Sequence, residues 1–194
     1  MTTSSVLAES TSSTEAGPNS PIRNAWLWVL LTTVLAGILR TLYLTSQGII
    51  PDEAFTIFLC RSTFANFVHL VWGWEFNMLL YNILLRQWMH FGLSEFFIRI
   101  PSMLFATATV PVIFLLGRRL FGDRAGLLAA LLFAVHPYQL MLSQRARSYP
   151  LLILLISLAS LCLVRGLQSP TWRIWTTYAV ISVAAATATF SLRW

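Results

Sequence analysis

From Ile100 to Gly117 the chain carries no charged side chain, and the same holds from Leu151 to Val164 and from Ile174 to Leu192. Runs this long and this clean constrain the fold more than any motif does. A helix needs about 20 mainly apolar residues to cross the hydrocarbon core of a bilayer. In that solvent every backbone N–H and C=O must be bonded within the protein. Composition agrees, with 57% hydrophobic and only 10% charged residues, against about 25% charged in soluble domains. So much apolar surface cannot be buried around one aqueous core. The expected fold is all-α, a polytopic transmembrane helical protein.

Residues 1–21 are rich in Ser and Thr and show no periodicity, which reads as a disordered tail; residues 22–194 form the membrane domain. Asn24 to Leu44 is a first span, with Trp26 and Trp28 at one interface and Tyr43 at the other. Ala54 to Trp74 mixes large apolar side chains with Arg61, Asn66 and His69, a pattern suited to lying in the interface. Asn77 to Phe91 is a helical stretch interrupted by Asn82, Arg86, Gln87 and His90, short for a span. Ser94 is placed to cap the next helix, Pro101 to sit in the first turn of the Ile100–Gly117 span. Arg118 to Arg124 reads as a short basic loop. A second polar segment, Ser143 to Tyr149, precedes the Leu151–Val164 span, and a loop from Arg165 to Arg173 leads to the last.

The net charge of +6 is carried by arginine alone on the basic side, and most of it has a topological explanation. Arg23 favours a cytoplasmic N-terminus. Placing Arg118, Arg119, Arg124, Arg165 and Arg173 in the cytoplasm satisfies the positive-inside rule, provided that Asn77–Phe91 does not cross. Residues 45 to about 98 then form one long external loop with juxtamembrane helices. Asp52 and the Ser143–Tyr149 segment share the outer face. If Asn77–Phe91 does cross, these two polar segments separate.

Asp52 and Glu53 stand directly after the first span, where charge is costly and marks a functional candidate. Moving a sugar from a phosphate leaving group needs a carboxylate to take the acceptor's proton and cations to hold the departing phosphate. The alternative is that the pair merely caps a helix at a wet surface. Arg40, near the far end of the first span, either snorkels to the interface or pairs with these carboxylates. Glu75 and Asn77 lie among Trp72, Trp74 and Phe76, a set that suits a sugar and equally an aromatic belt. Arg145 and Arg147, with Gln144 and Tyr149 beside them, suit a phosphate headgroup because guanidinium presents a planar fork of donors; anchoring to anionic lipid is the plainer account. His136 could donate to the same phosphate. Cys60 and Cys162 imply neither a disulfide scaffold nor a metal site. No phosphate-binding loop, dinucleotide fingerprint or zinc spacing is present, and no nucleic-acid partner is expected.

The order of motifs resembles the GT-C glycosyltransferases, in particular the bacterial glycosyltransferase family 39 proteins related to protein O-mannosyltransferases and to the lipid A aminoarabinose transferase. The matching stretches are Pro51-Asp52-Glu53-Ala54, Glu75-Phe76-Asn77 with Leu80-Tyr81, and Ser94-Glu95-Phe96 with Arg99-Ile100-Pro101-Ser102. Leu116 to Gly122 followed by Ala125 to Ala130 is a further match, as is Ser143-Gln144 with Ala146 to Tyr149. The resemblance implies a GT-C-type N-terminal core and a sugar donor on polyprenyl phosphate. It also implies transfer with inversion, on the non-cytoplasmic face of a plasma or inner membrane, to a protein, lipid or glycan acceptor. Asp52 matches the catalytic acid, Glu53 the neighbour that positions the site or a cation, and Tyr81 belongs to the matched substrate-side residues. Some relatives use a divalent metal and others do not, so the cofactor stays open. Relatives usually carry an acid where this chain has Arg145, and they are more than twice as long, so the chain is expected to be the N-terminal part of an enzyme. A non-catalytic membrane remnant is the alternative, ahead of a transporter subunit.

Overall fold

The computed structural model describes residues 24–42, 44, 48, 51–73 and 78–188. The 1–21 tail, the interfacial Tyr43, and Glu75 and Asn77 lie outside them. The described residues form helices α1 (Ala25–Thr41), α2 (Pro51–Arg61), α3 (Phe64–Gly73), α4 (Leu79–Trp88), α5 (Glu95–Phe121), α6 (Asp123–Val135), α7 (Pro137–Ser143), α8 (Tyr149–Gln168) and α9 (Trp172–Thr187). The all-α expectation holds.

Helix α5 is the axis of the bundle, with α1, α6 and α8 packed along it and α9 against α8. Its start is set locally, because the Ser94 side chain accepts the Phe97 N–H at 3.3 Å and Glu95 sits in the first turn, where a carboxylate meets the positive end of the helix dipole. The helix begins a turn and a half before the apolar run, so Pro101 is in its interior rather than its first turn. A proline there leaves the carbonyl four residues back without its helical donor. That carbonyl belongs to Phe97, and the Trp88 indole N–H donates to it at 2.9 Å. The Trp88 ring also stacks on Phe97 at 4.9 Å, which fastens α4 to the head of α5.

The segment Arg118–Arg124 is not a loop. Helix α5 runs on to Phe121, and Gly122 alone separates it from α6, with φ 93° that suits glycine. Arg118 pairs with Asp123 across this corner at 2.7 Å. The tight turn lays α5 and α6 in backbone contact. A Cβ on Gly117 would fall 2.8 Å from Gly126 Cα, and one on Gly126 would fall 2.7 Å from Phe114 O. Small residues continue the pattern where α1 joins, with Ala36, Ala130 and Ala134 fully buried beside Val110 and Phe114. In lipid such close approach substitutes van der Waals packing for the hydrophobic effect.

Helices α5 and α8 are long and apolar enough to cross a membrane, and α6 with α7 makes a third if the pair, bent by 59° at His136-Pro137, is one span. The bend follows from Pro137, which drives His136 out of helical geometry to φ −62°, ψ 121°. Helix α1 exposes Trp26, Leu30, Leu31, Val34 and Ile38, a face that suits lipid and not water. The expected interfacial stretch divides into α2 and α3. With α4 these are helices of 11, 10 and 10 residues, each about 15 Å long, half of what a crossing requires.

Because α5 and α6 touch through glycine, Gly126→Ala should force the helices apart and cost about 1–3 kcal/mol. A lowered thermal midpoint of the detergent-solubilised protein, with the monodisperse fraction retained at low temperature, is the expected result.

Candidate functional site: an acid pair locked to two arginines

Helix α2 opens with Pro51, Asp52 and Glu53, an arrangement favoured twice. Proline tolerates the first turn because its missing N–H would have no helical partner there, and carboxylates are stabilised by the dipole. Consecutive helical residues point about 100° apart, so the two acids face different surroundings. Glu53 is buried, and the Asp52 side chain is 74% exposed.

Glu53 receives a full set of partners. Arg99 of α5 donates to it as a fork, Nε to Oε1 at 3.1 Å and Nη2 to Oε2 at 2.9 Å. The backbone N–H of Ala146 adds a third bond to Oε1 at 2.7 Å. Arg99 Nη1 reaches back to the Leu44 carbonyl at 2.6 Å, beyond the end of α1. Both side chains of the pair are 3% exposed. A pair this dry is tolerable only when its remaining donors and acceptors are met, and here they are.

Asp52 meets the other arginine. Arg147 Nη2 lies 2.7 Å from Asp52 Oδ2, and Nη1 contacts Met78 Sδ at 3.2 Å. The Arg147 carbonyl accepts from Ser102 Oγ at 3.2 Å, and Ser102 shares a 2.9 Å hydrogen bond with the Tyr81 hydroxyl. Burial pushes the Tyr81 phenol up, so it stays protonated in that contact.

Asp52, Glu53, Arg145, Arg147 and Tyr149 line one cavity of about 160 Å³, closed on the α7 side by Tyr138, Met141 and Leu142. At about 30 Å³ per water, that is room for a headgroup and not for a whole ligand, since small-molecule pockets run to about 300–1,000 Å³. Arg145 is half-buried at this wall, and its Nε finds no acceptor among the described residues. Among the described residues no three His, Cys, Asp or Glu side chains converge, so they offer an ion no ready-made ligand set.

Other expected site residues lie elsewhere. Arg40 neither snorkels nor pairs with the acids: it is fully buried, with Nη1 donating to Ala36 O at 3.0 Å and Ala134 O at 3.4 Å. Arg99 occupies the place expected of it. Tyr81 is fully buried behind the cavity wall. Gln144 is turned toward the Arg40 carbonyl, 3.4 Å away, and His136 is exposed at the α6–α7 bend; neither lines the cavity. Glu75 and Asn77 are outside the described residues. Arg99 is the residue that reading for chemistry passed over, although an arginine at the edge of an apolar run signals a buried partner.

A family model described as dolichyl-phosphate-mannose-protein mannosyltransferase matches residues 76–191. The chain belongs to this family. No curated protein matches it, and no solved structure does. As a member of a mannosyltransferase family with membrane-length apolar helices, the chain is an integral membrane protein of glycosyltransferase type. The matched region takes in Arg99, Arg145, Arg147 and Tyr149, and Asp52 and Glu53 precede it. The two ion pairs and the Ala146 N–H bond to Glu53 join the acids to the family's part of the chain.

Glu53→Ala and Arg99→Ala should each cost about 3–5 kcal/mol by stranding a buried charge. The double variant should be less impaired than the sum of the two, with a coupling of about 0.5–3 kcal/mol. Thermal denaturation of all four proteins in one detergent measures this.

Proposed function

We propose that the chain carries the site at which a sugar leaves a polyprenyl-phosphate donor and joins an acceptor hydroxyl, with Asp52 as the base. The observation that supports this most is the 2.7 Å Asp52–Arg147 contact on a cavity that Arg145 also lines. One carboxylate and two guanidinium groups are the charges the reaction requires. The acceptor oxygen bonds to the anomeric carbon as the bond from that carbon to the phosphate oxygen breaks. The proton goes to Asp52, and the electron pair leaves with the phosphate, stabilised by Arg145 and Arg147. Inversion at the anomeric carbon follows from a single displacement. Glu53 serves as a positioning residue in this scheme. The family description names a mannosyl donor on dolichyl phosphate and a protein acceptor, and both suit a hydroxyl acceptor on the outer face.

The ion pair also couples the two roles, since a donor phosphate held by Arg147 would lie beside the Asp52 carboxylate that takes the acceptor's proton.

Asp52→Asn should lower transfer from a polyprenyl-phosphate sugar by roughly 10²–10⁴-fold while leaving the thermal midpoint nearly unchanged. Arg145→Gln should raise the KM for the donor more than it lowers kcat. Unaltered transfer by Asp52→Asn would remove the base from its role.

The topology in which α4 stays outside has its own check. In a background of Cys60→Ser and Cys162→Ser, the variant Arg119→Cys should resist a membrane-impermeant maleimide in intact cells and react after permeabilisation.

A further inference from the structure

A second cavity, of about 250 Å³, opens where the end of α2 meets the end of α4, and it shares no lining residue with the first. Arg61, Arg86 and His90 line it together with Met89 and Leu93, and no described carboxylate is among the lining residues. Charges of one sign gathered in a concavity focus their field on it. The proposed transfer reaction makes no use of these residues.

Arg86 is held as a fixed donor rather than a trailing surface cation. Its Nη1 gives hydrogen bonds to the Cys60 carbonyl at 3.0 Å and the Ser62 carbonyl at 2.8 Å. The guanidinium carbon stands 5.0 Å from the centre of the Phe67 ring, a cation–π distance. Those contacts occupy one nitrogen, and Nε and Nη2 make no hydrogen bond to the described residues. A guanidinium fixed at one end with its other donors unspent is pre-organised for an oxygen anion. Arg61 and His90 are exposed at the rim and add mobile donors on either side.

The surroundings point to the source of that anion. Phe58, Phe64, Phe91, Leu93 and Phe96 are all exposed on and beside these short helices. Apolar rings around a cationic hollow, on helices too short to cross, describe an element seated in a headgroup layer.

From this we infer that the α2–α4 cavity is a binding site for a phosphate-bearing group, filled by an anionic phospholipid headgroup at the membrane surface or by free phosphate. The chemistry recognised is the same, a phosphate oxygen taken by the fixed Arg86 fork and closed over by Arg61 and His90. This assignment is independent of the role given to Asp52 and stands or falls on different residues.

Native mass spectrometry of the full chain released from detergent, with phosphatidylglycerol, phosphatidylcholine and inorganic phosphate added separately, tests it. Phosphatidylglycerol or phosphate should be retained over phosphatidylcholine, and Arg61→Gln should weaken that retention roughly fivefold. Arg61 is exposed and makes no structural bond, so this variant folds whatever becomes of Arg86→Gln. Arg173→Gln, at an exposed arginine of α9 that lines neither cavity, should leave the retention as it was. Retention of the lipid alone assigns a headgroup, and retention of inorganic phosphate assigns the free anion. No preference over phosphatidylcholine, no effect of Arg61→Gln, or an equal loss in Arg173→Gln would overturn the site.

Discussion

The Glu53–Arg99 pair holds the structure in register. Two opposite charges taken out of water are a liability for any fold, and a larger one beside a bilayer. This pair is tolerated because each remaining polar atom is put to use in joining segments distant in sequence. Arg99 ties α5 to the end of α1 through the Leu44 carbonyl. Glu53 ties α2 to the backbone before α8 through the Ala146 N–H. Four parts of the chain therefore meet at this one ion pair, and the cavity lies beside it.

That arrangement explains why Asp52, Arg145 and Arg147 come together at all. The bond to Ala146 N–H fixes the stretch between the two arginines, so both are placed by the acid one residue after the proposed base. The burial of Glu53 and the exposure of Asp52 are two results of one helical step. The proposed role of Asp52 thus depends on a residue that need not touch substrate. The second cavity shares this logic in a weaker form, since backbone carbonyls at the end of α2 orient Arg86 as the Ala146 N–H orients Glu53.

Much of the fold was legible in the chain because lipid permits few solutions: apolar runs predict helices, Ser94 predicts a cap, and Asp52-Glu53 after a span predicts a polar site. The misreadings have physical causes. Arg118–Arg124 looked like a loop because arginine is counted as an end of a span, yet α5 continues to Phe121 and a single left-handed glycine makes the turn. Arg40 and Arg99 both stand within or beside apolar runs, and local sequence does not distinguish them. Which one meets Glu53 depends on how α5 crosses α2, a property of packing and not of either segment. Tyr81 has the look of a binding residue in sequence, but its hydroxyl is spent on Ser102 inside the wall.

Pro101 changes its meaning once Trp88 is seen beside it. By helix propensity an interior proline is a defect, and alanine would be the repair. Here the defect leaves one acceptor vacant, the Phe97 oxygen, and the neighbouring layer docks into that vacancy through an indole. Alanine would restore an N–H that contends with Trp88 for the same oxygen, strengthening the helix while loosening its joint to α4. The junction between the long-helix bundle and the short helix α4 is thus built from a missing bond, and improving α5 in isolation would work against the assembly it serves.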